Sequence, residues 1–251
     1  MEKTALLRKK IAEKSMVKII AGIDNFDMEN IKKVVCAANM AGADAVDISA
    51  KKEIIALVKE LTELAIFVSS VNPEDLAMAV EMGADAVEIG NYDALYKKGV
   101  KTTAEQVLDI TKRTRDLIGD EIFMCVTVPG DLEISEQILL AQQLEEMGVD
   151  MIQTEGACVA NVQNTGALGL LEKANISIAN TIEISRNVEI PVMTASGITP
   201  TTAPMAFAAG ANAVGVGSCI NKLSSTLEMA ATARTIVESS KKIAQKEAVA
   251  F

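Results

Sequence analysis

Four segments of the chain align with one another without a gap: AGADAVDIS at 41–49, MGADAVEIG at 82–90, MGVDMIQTE at 147–155 and AGANAVGVG at 209–217. Each opens with a glycine suited to closing a helix: Gly42, Gly83, Gly148 and Gly210. Each then runs into a short apolar strand. Repetition of one supersecondary unit is the strongest constraint a sequence can place on its fold. Between successive copies there is room for a helix, a strand and a second helix.

The intervening segments supply those parts. KIIAGI (18–23), AIFVSS (65–70), IFMCVT (122–127) and PVMTAS (191–196) read as strands. Asp27, Asn72-Pro73 and Thr103 are start signals for the helices that follow. SEQILLAQQLEEM spaces its apolar residues at helical intervals. Eight strands alternating with eight helices imply a parallel sheet, and eight such units in 251 residues fit a single (β/α)8 TIM barrel. An open doubly wound sheet competes, but nothing resembling G-x-G-x-x-G opens the first helix. The whole chain, 1–251, reads as one domain: an N-terminal extra helix at about 3–14, then a barrel over about 17–245.

Composition narrows the chemistry. With 49% apolar residues the chain can fill a large core. It contains no histidine, which excludes Ser-His-Asp and Cys-His hydrolases and leaves Lys, Asp, Glu, Cys, Ser or Tyr to move protons. A net charge of −10, spread along the chain, argues against a nucleic-acid partner. No apolar run is long enough to span a membrane, and the charged N-terminus MEKTALLRKKIAEK has no signal-peptide core. The expected location is the cytoplasm, or the plastid stroma if the source is an alga. Cys36, Cys125, Cys158 and Cys219 form no C-x-x-C pair and suggest reduced thiols.

The repeats fall on strands two, four, six and eight, whose side chains share layers inside such a barrel. Bulky Val46 and Ile48 belong against the helices, so Asp47 and Ser49 face the lumen. The same register places Asp47, Glu88, Gln153 and Gly215 in one layer, with Ser49, Gly90, Glu155 and Gly217 at the rim. Buried carboxylates are costly unless paired or ligand-bound. At the C-terminal end of a barrel they mark a site, so Asp47, Glu88 and Glu155 are candidate catalytic residues. Lys18, the only lysine within a strand, joins them as a candidate Schiff-base former or general base, or else as a salt-bridge partner of Asp47 or Glu88.

Strands seven and eight end in TASGITP and GVGSCINK. Ser196, Gly197, Gly217 and Ser218, with a short helix opening at Ser218, form a candidate phosphate site. Asn25, Ser69, Asn91, Thr127 and Gln153 are candidate substrate contacts. Asn164 and Thr165 join them from a long sixth loop, 156–174, that could act as a lid. The favoured reading is a lyase or isomerase of a small phosphorylated carbonyl or sugar-like metabolite. No cofactor is evident. Mg²⁺ on Asp47, Glu88 and Glu155 is one alternative; a non-catalytic barrel that senses a phosphometabolite is another. A homo-oligomer is possible.

VKIIAGIDNF, FVSSVNPEDL, ADAVEIGNYDALYKKG, DMIQTEG, NTGALGLLEKA and TASGITPTTAPMAFAAGANAVGVGSCINKL together resemble the chloroplast open-reading-frame twenty-three family of cyanobacteria and algal plastids. The resemblance covers about Val17 to Glu238 and implies an aldolase-type TIM barrel, but no reaction. Family members often carry a histidine beside the sixth-loop glycine, where this chain has Asn164 and Thr165. A weaker similarity, resting on strands seven and eight, runs to thiazole synthase and other phosphate-binding barrel lyases and epimerases. Thiazole synthase uses a strand lysine, but Lys18 does not stand at the matching motif.

Overall fold

The computed structural model describes residues 2–90, Tyr92, Tyr96, Gly99, 101–156 and 164–249. Asn91 and Cys158 lie outside the described residues. The chain opens with α1 (Glu2–Ala12), then alternates β1 (Met16–Gly22), α2 (Met28–Ala41), β2 (Ala45–Ser49), α3 (Lys52–Leu61), β3 (Ala65–Ser70), α4 (Pro73–Glu81) and β4 (Ala86–Ile89). It continues with α5 (Ala104–Ile118), β5 (Phe123–Val128), α6 (Ile134–Glu146), β6 (Met151–Thr154), α7 (Gly166–Ser185), β7 (Val192–Thr194), α8 (Ala203–Ala208) and β8 (Ala213–Val216). A four-residue helix, α9 (Ser218–Asn221), precedes the long α10 (Thr226–Val249). The eight strands are parallel and close into a barrel in sequence order, β1 to β8 and back to β1. This is a TIM barrel.

The start signals act as their chemistry requires. Asp27 accepts from the backbone N–H groups of Glu29 and Asn30, Asn72 caps Glu74, and Thr103 forms a reciprocal capping box with Gln106. The four repeat glycines all take positive φ, between 69° and 107°. One function of the repeat is visible only in three dimensions. Its fourth residue is Asp44, Asp85, Asp150 or Asn212. The side-chain oxygen accepts the backbone N–H of Val17, Ile66, Met124 and Val192 respectively, at 2.8–3.1 Å. Each even strand is thereby pinned to the start of the odd strand before it.

The outer faces of the strands pack against the helices through residues such as Val46, Ile48, Val68 and Val214. The lower lumen is apolar, filled by Met16, Phe67, Phe123, Met151 and Met193. Leu7 and Ile11 of α1 join that cluster. The extra N-terminal helix is therefore a plug for the bottom of the barrel, with the Arg8 guanidinium 5.1 Å over the ring of Phe123. The expected lid loop is partly helix: its second half, from Gly166, is the first turns of α7. Among the described residues no helix is long and apolar enough to cross a membrane.

Candidate active site

Above the apolar plug the lumen turns polar. Lys18, Asp47, Ser69, Glu88, Thr127 and Gln153 come from β1 to β6 and are all buried. Strand alternation puts them there. In each strand the neighbouring residues, such as Val46 and Ile48 beside Asp47, take the helix-facing side.

Lys18 forms a buried ion pair with Glu88 and donates a second hydrogen bond to Gln153 Oε1 at 3.1 Å. Its ammonium lies 5.0 Å from the centroid of Phe67. Gln153 uses its amide to bridge Glu88 Oε1 at 2.8 Å and Thr127 Oγ1 at 3.0 Å. Burial by itself would lower the Lys18 pKa, but the charges of Glu88 and Asp47 outweigh it, and the net shift is upward. Such a lysine stays protonated. The pair with Glu88 favours its charged form.

Asp47 differs from Glu88. Ser69 donates to its Oδ1, while Oδ2 is shielded from solvent and makes no hydrogen bond among the described residues. Burial, then the charge of Glu88, push its pKa up to about 7, against the opposing pull of Lys18 and Ser69. The site therefore holds two carboxyls in different environments: one locked to a cation, the other poised to exchange a proton near neutral pH. Burial also pushes the Cys125 thiol well up, so it is an inert core group.

Glu155 is buried one step above this layer, and its backbone carbonyl accepts from Asn180 of α7 at 3.2 Å. Among the described residues no three His, Cys, Asp or Glu are grouped so as to hold a metal ion. Of the three carboxylates weighed for Mg²⁺, Glu88 is turned to Lys18 and Asp47 to Ser69.

Gly215 in β8 and Gly217 just beyond it have separate reasons. A Cβ on Gly215 would stand 3.0 Å from Ile20 Cδ1 and 3.3 Å from Gln153 Oε1, so this glycine makes room for the polar layer itself. Around Gly217 the nearest atoms are 3.7 Å away, leaving ordinary space. Ser218 follows, exposed, at the start of α9. Ser196, two residues past β7, has φ at 69°, a left-handed conformation uncommon outside glycine, and its carbonyl accepts from Ser177 Oγ at 3.0 Å. Gly197 departs from expectation. A Cβ there would meet Leu170 O at 2.3 Å and Ala174 N at 2.5 Å, so its missing side chain admits α7.

Three expected substrate contacts are not brought to the lumen. Asn25 donates to Ala21 O at 3.2 Å and Asn30 Oδ1 at 2.8 Å, bracing the β1–α2 turn. Asn164 and Thr165 are exposed, and Asn164 turns to Glu172 of α7. Two aromatics beside the site escaped sequence reasoning: Phe67 in the lumen and Tyr92 in the cluster outside the strands. Phe67 carries no polar signal. Tyr92 could have been found from its place, two residues beyond the rim glycine Gly90.

Fold and lumen together define a (β/α)8 barrel with an ion pair buried at its centre. The chain belongs to the family described as "Protein of unknown function (DUF561)", which matches residues 1–247. Relatives named "Uncharacterized protein ycf23" include one from Pyropia yezoensis, 36% identical over 86% of this chain and 79% of its own length. Another, from Cyanophora paradoxa, is 37% identical over 87% of this chain and 90% of its own. Solved structures with the same fold include wild-type GGGPS from Thermoplasma volcanium, with a TM-score of 0.65 at 16% identity over 94% of this chain and 98% of that one. A second is (S)-3-O-geranylgeranylglyceryl phosphate synthase from Thermoplasma acidophilum in complex with sn-glycerol-1-phosphate, TM-score 0.59, 18% identical, over 94% and 98%. A third is 3-hexulose-6-phosphate synthase, TM-score 0.61, 16% identical, over 89% and 99%. At such identities the likeness is one of fold.

Proposed function

We propose that the protein is a lyase or isomerase of a small phosphorylated carbonyl compound, working by proton transfer at the carbon beside the carbonyl. The observation that carries this reading is Asp47, a buried carboxyl with one oxygen uncommitted and a pKa near 7, set in a lumen whose cation is already fixed. In its ionised form Asp47 removes the proton, the C–H electron pair becomes the new C=C bond, and the carbonyl π pair moves to oxygen. Where that carbon bears a hydroxyl, passing the hydroxyl proton to the enolate oxygen and returning the carbon-bound proton to the former carbonyl carbon completes an isomerisation; in a lysis Asp47 instead takes the proton of a β-hydroxyl, its O–H pair forms the new C=O, the C–C pair becomes the same enolate, and the proton returns to the enolate carbon. Lys18, paired to Glu88, supplies a standing positive charge in a low-dielectric interior and opposes the developing enolate charge.

Phosphate binding beyond the ends of β7 and β8 is supported by the left-handed Ser196 and the exposed hydroxyl of Ser218, next to Gly217. Two proteins of the same fold are named for phosphorylated small molecules, and one was solved with sn-glycerol-1-phosphate. The test is thermal stabilisation of the purified protein by a panel of phosphorylated ketoses and aldoses, with inorganic phosphate as control. Binding raises the melting temperature by mass action. Ser218→Glu, which puts a negative charge where the phosphate would sit, abolishes the shift if the reading holds. A shift that survives that change contradicts the phosphate assignment.

A further inference from the structure

Tyr92 stands just beyond the C-terminal end of β4 and is fully buried. Its ring belongs to the apolar cluster that Leu76, Val107 and Val126 form outside the strands. Its edge reaches toward the mouth of the barrel. A Cβ on Gly90 would lie 3.3 Å from Tyr92 Cε2 and only 2.4 Å from the Cβ of Thr127, which anchors the polar layer through Gln153. Gly90 is glycine, at φ 129°, so that Tyr92 and Thr127 can close over it. The hydroxyl of Tyr92 is shielded from solvent and makes no hydrogen bond among the described residues. Buried tyrosine hydroxyls usually find a partner, and an orphaned one is costly.

We infer that Tyr92 is a further catalytic residue, donating its phenolic O–H to an uncharged oxygen of the substrate, a carbonyl or hydroxyl, at the mouth of the barrel. This rests on the proton-transfer reading above and adds the group that would polarise the carbonyl. The oxygen is assigned as uncharged because of what surrounds the phenol. Burial, then the charges of Glu155 and Glu88, push its pKa up and hold it as a donor. The same two carboxylates repel a phosphate, whose place is on the other side of the barrel at β7 and β8. A hydrogen bond to a carbonyl oxygen strengthens as that oxygen gains charge, so the contact favours the enolate over the ketone.

The experiment compares wild type with Tyr92→Phe, titrated with dihydroxyacetone phosphate and separately with inorganic phosphate, read by thermal shift. The inference predicts that wild type binds both. The variant should bind dihydroxyacetone phosphate about fivefold more weakly and phosphate equally well. Without ligand the variant should melt no lower than wild type, since an orphaned hydroxyl holds nothing. Equal affinity for dihydroxyacetone phosphate in both proteins overturns the inference. So does equal weakening for both probes, which would make Tyr92 a phosphate contact, and so does a lower melting temperature without ligand, which would reveal an internal partner. If wild type binds neither probe, the reading of a phosphorylated substrate fails first, and the role of Tyr92 falls with it.

Discussion

Lys18 and Glu88, 70 residues apart in the chain, meet across the barrel as an ion pair with both side chains excluded from solvent. Such a pair holds its geometry because each charge has lost water and takes the other, with Gln153, in its place.

Removing the cation alone strands that carboxylate. Lys18→Met is expected to cost about 3–5 kcal/mol of stability. The double change Lys18→Met with Glu88→Leu should be markedly less destabilised than the single change, because no buried charge is left unpaired. Urea unfolding of the three proteins measures this, and a double mutant that simply adds the two losses contradicts it.

Asp47 gives the fold a pH dependence of definite sign. Its folded pKa, about 7, lies above the ordinary 3.8. The folded state therefore binds this proton more tightly than the unfolded chain does. Stability from this group is complete below pH 3.8 and falls as pH rises toward 7, by up to about 1.4 kcal/mol per pH unit. Subtracting the curve of Asp47→Asn from that of wild type isolates the effect. A difference that is flat, or that rises with pH over this window, contradicts the assignment.

Asp85 of the repeat is expected to work as an acceptor and not as a charge, since Asn212 does the same work with an amide oxygen. Asp85→Asn should change stability by less than about 0.5 kcal/mol. Asp85→Ala, which leaves the N–H of Ile66 without its acceptor, should cost about 1–2 kcal/mol. Chemical denaturation of the two variants separates a charge from a hydrogen bond.

The fold could be read from the sequence because one local pattern, glycine cap then alternating strand, recurs at 41–49, 82–90, 147–155 and 209–217. Strand alternation also carries the inward direction of Asp47, Glu88 and Gln153, since their neighbours are bulky and branched. What alternation cannot carry is contact between elements. That Lys18 chooses Glu88 over Asp47 depends on the twist and height of strands far apart in the chain. That Gly197 makes room for α7, and Gly215 for Gln153, depends on what packs opposite, which a glycine in a sequence does not disclose. Asn25 looks like a ligand contact because it is polar and near a strand end, and Asn164 because it sits in a long Gly- and Asn-rich loop. Their partners, Asn30 and Glu172, appear only when the turns are built.

The most direct test of the central claim, proton transfer by Asp47, is deuterium uptake from D2O into a panel of phosphorylated ketoses and aldoses, followed by proton NMR. It detects enolate formation whether the full reaction is an isomerisation or a cleavage. The account predicts exchange at the carbon beside the carbonyl of at least one compound that also stabilises the protein, slowed 10²–10⁴-fold, on the order of a lost general base, in Asp47→Asn. Stabilisation without exchange in any compound, or exchange undiminished in Asp47→Asn, would contradict it.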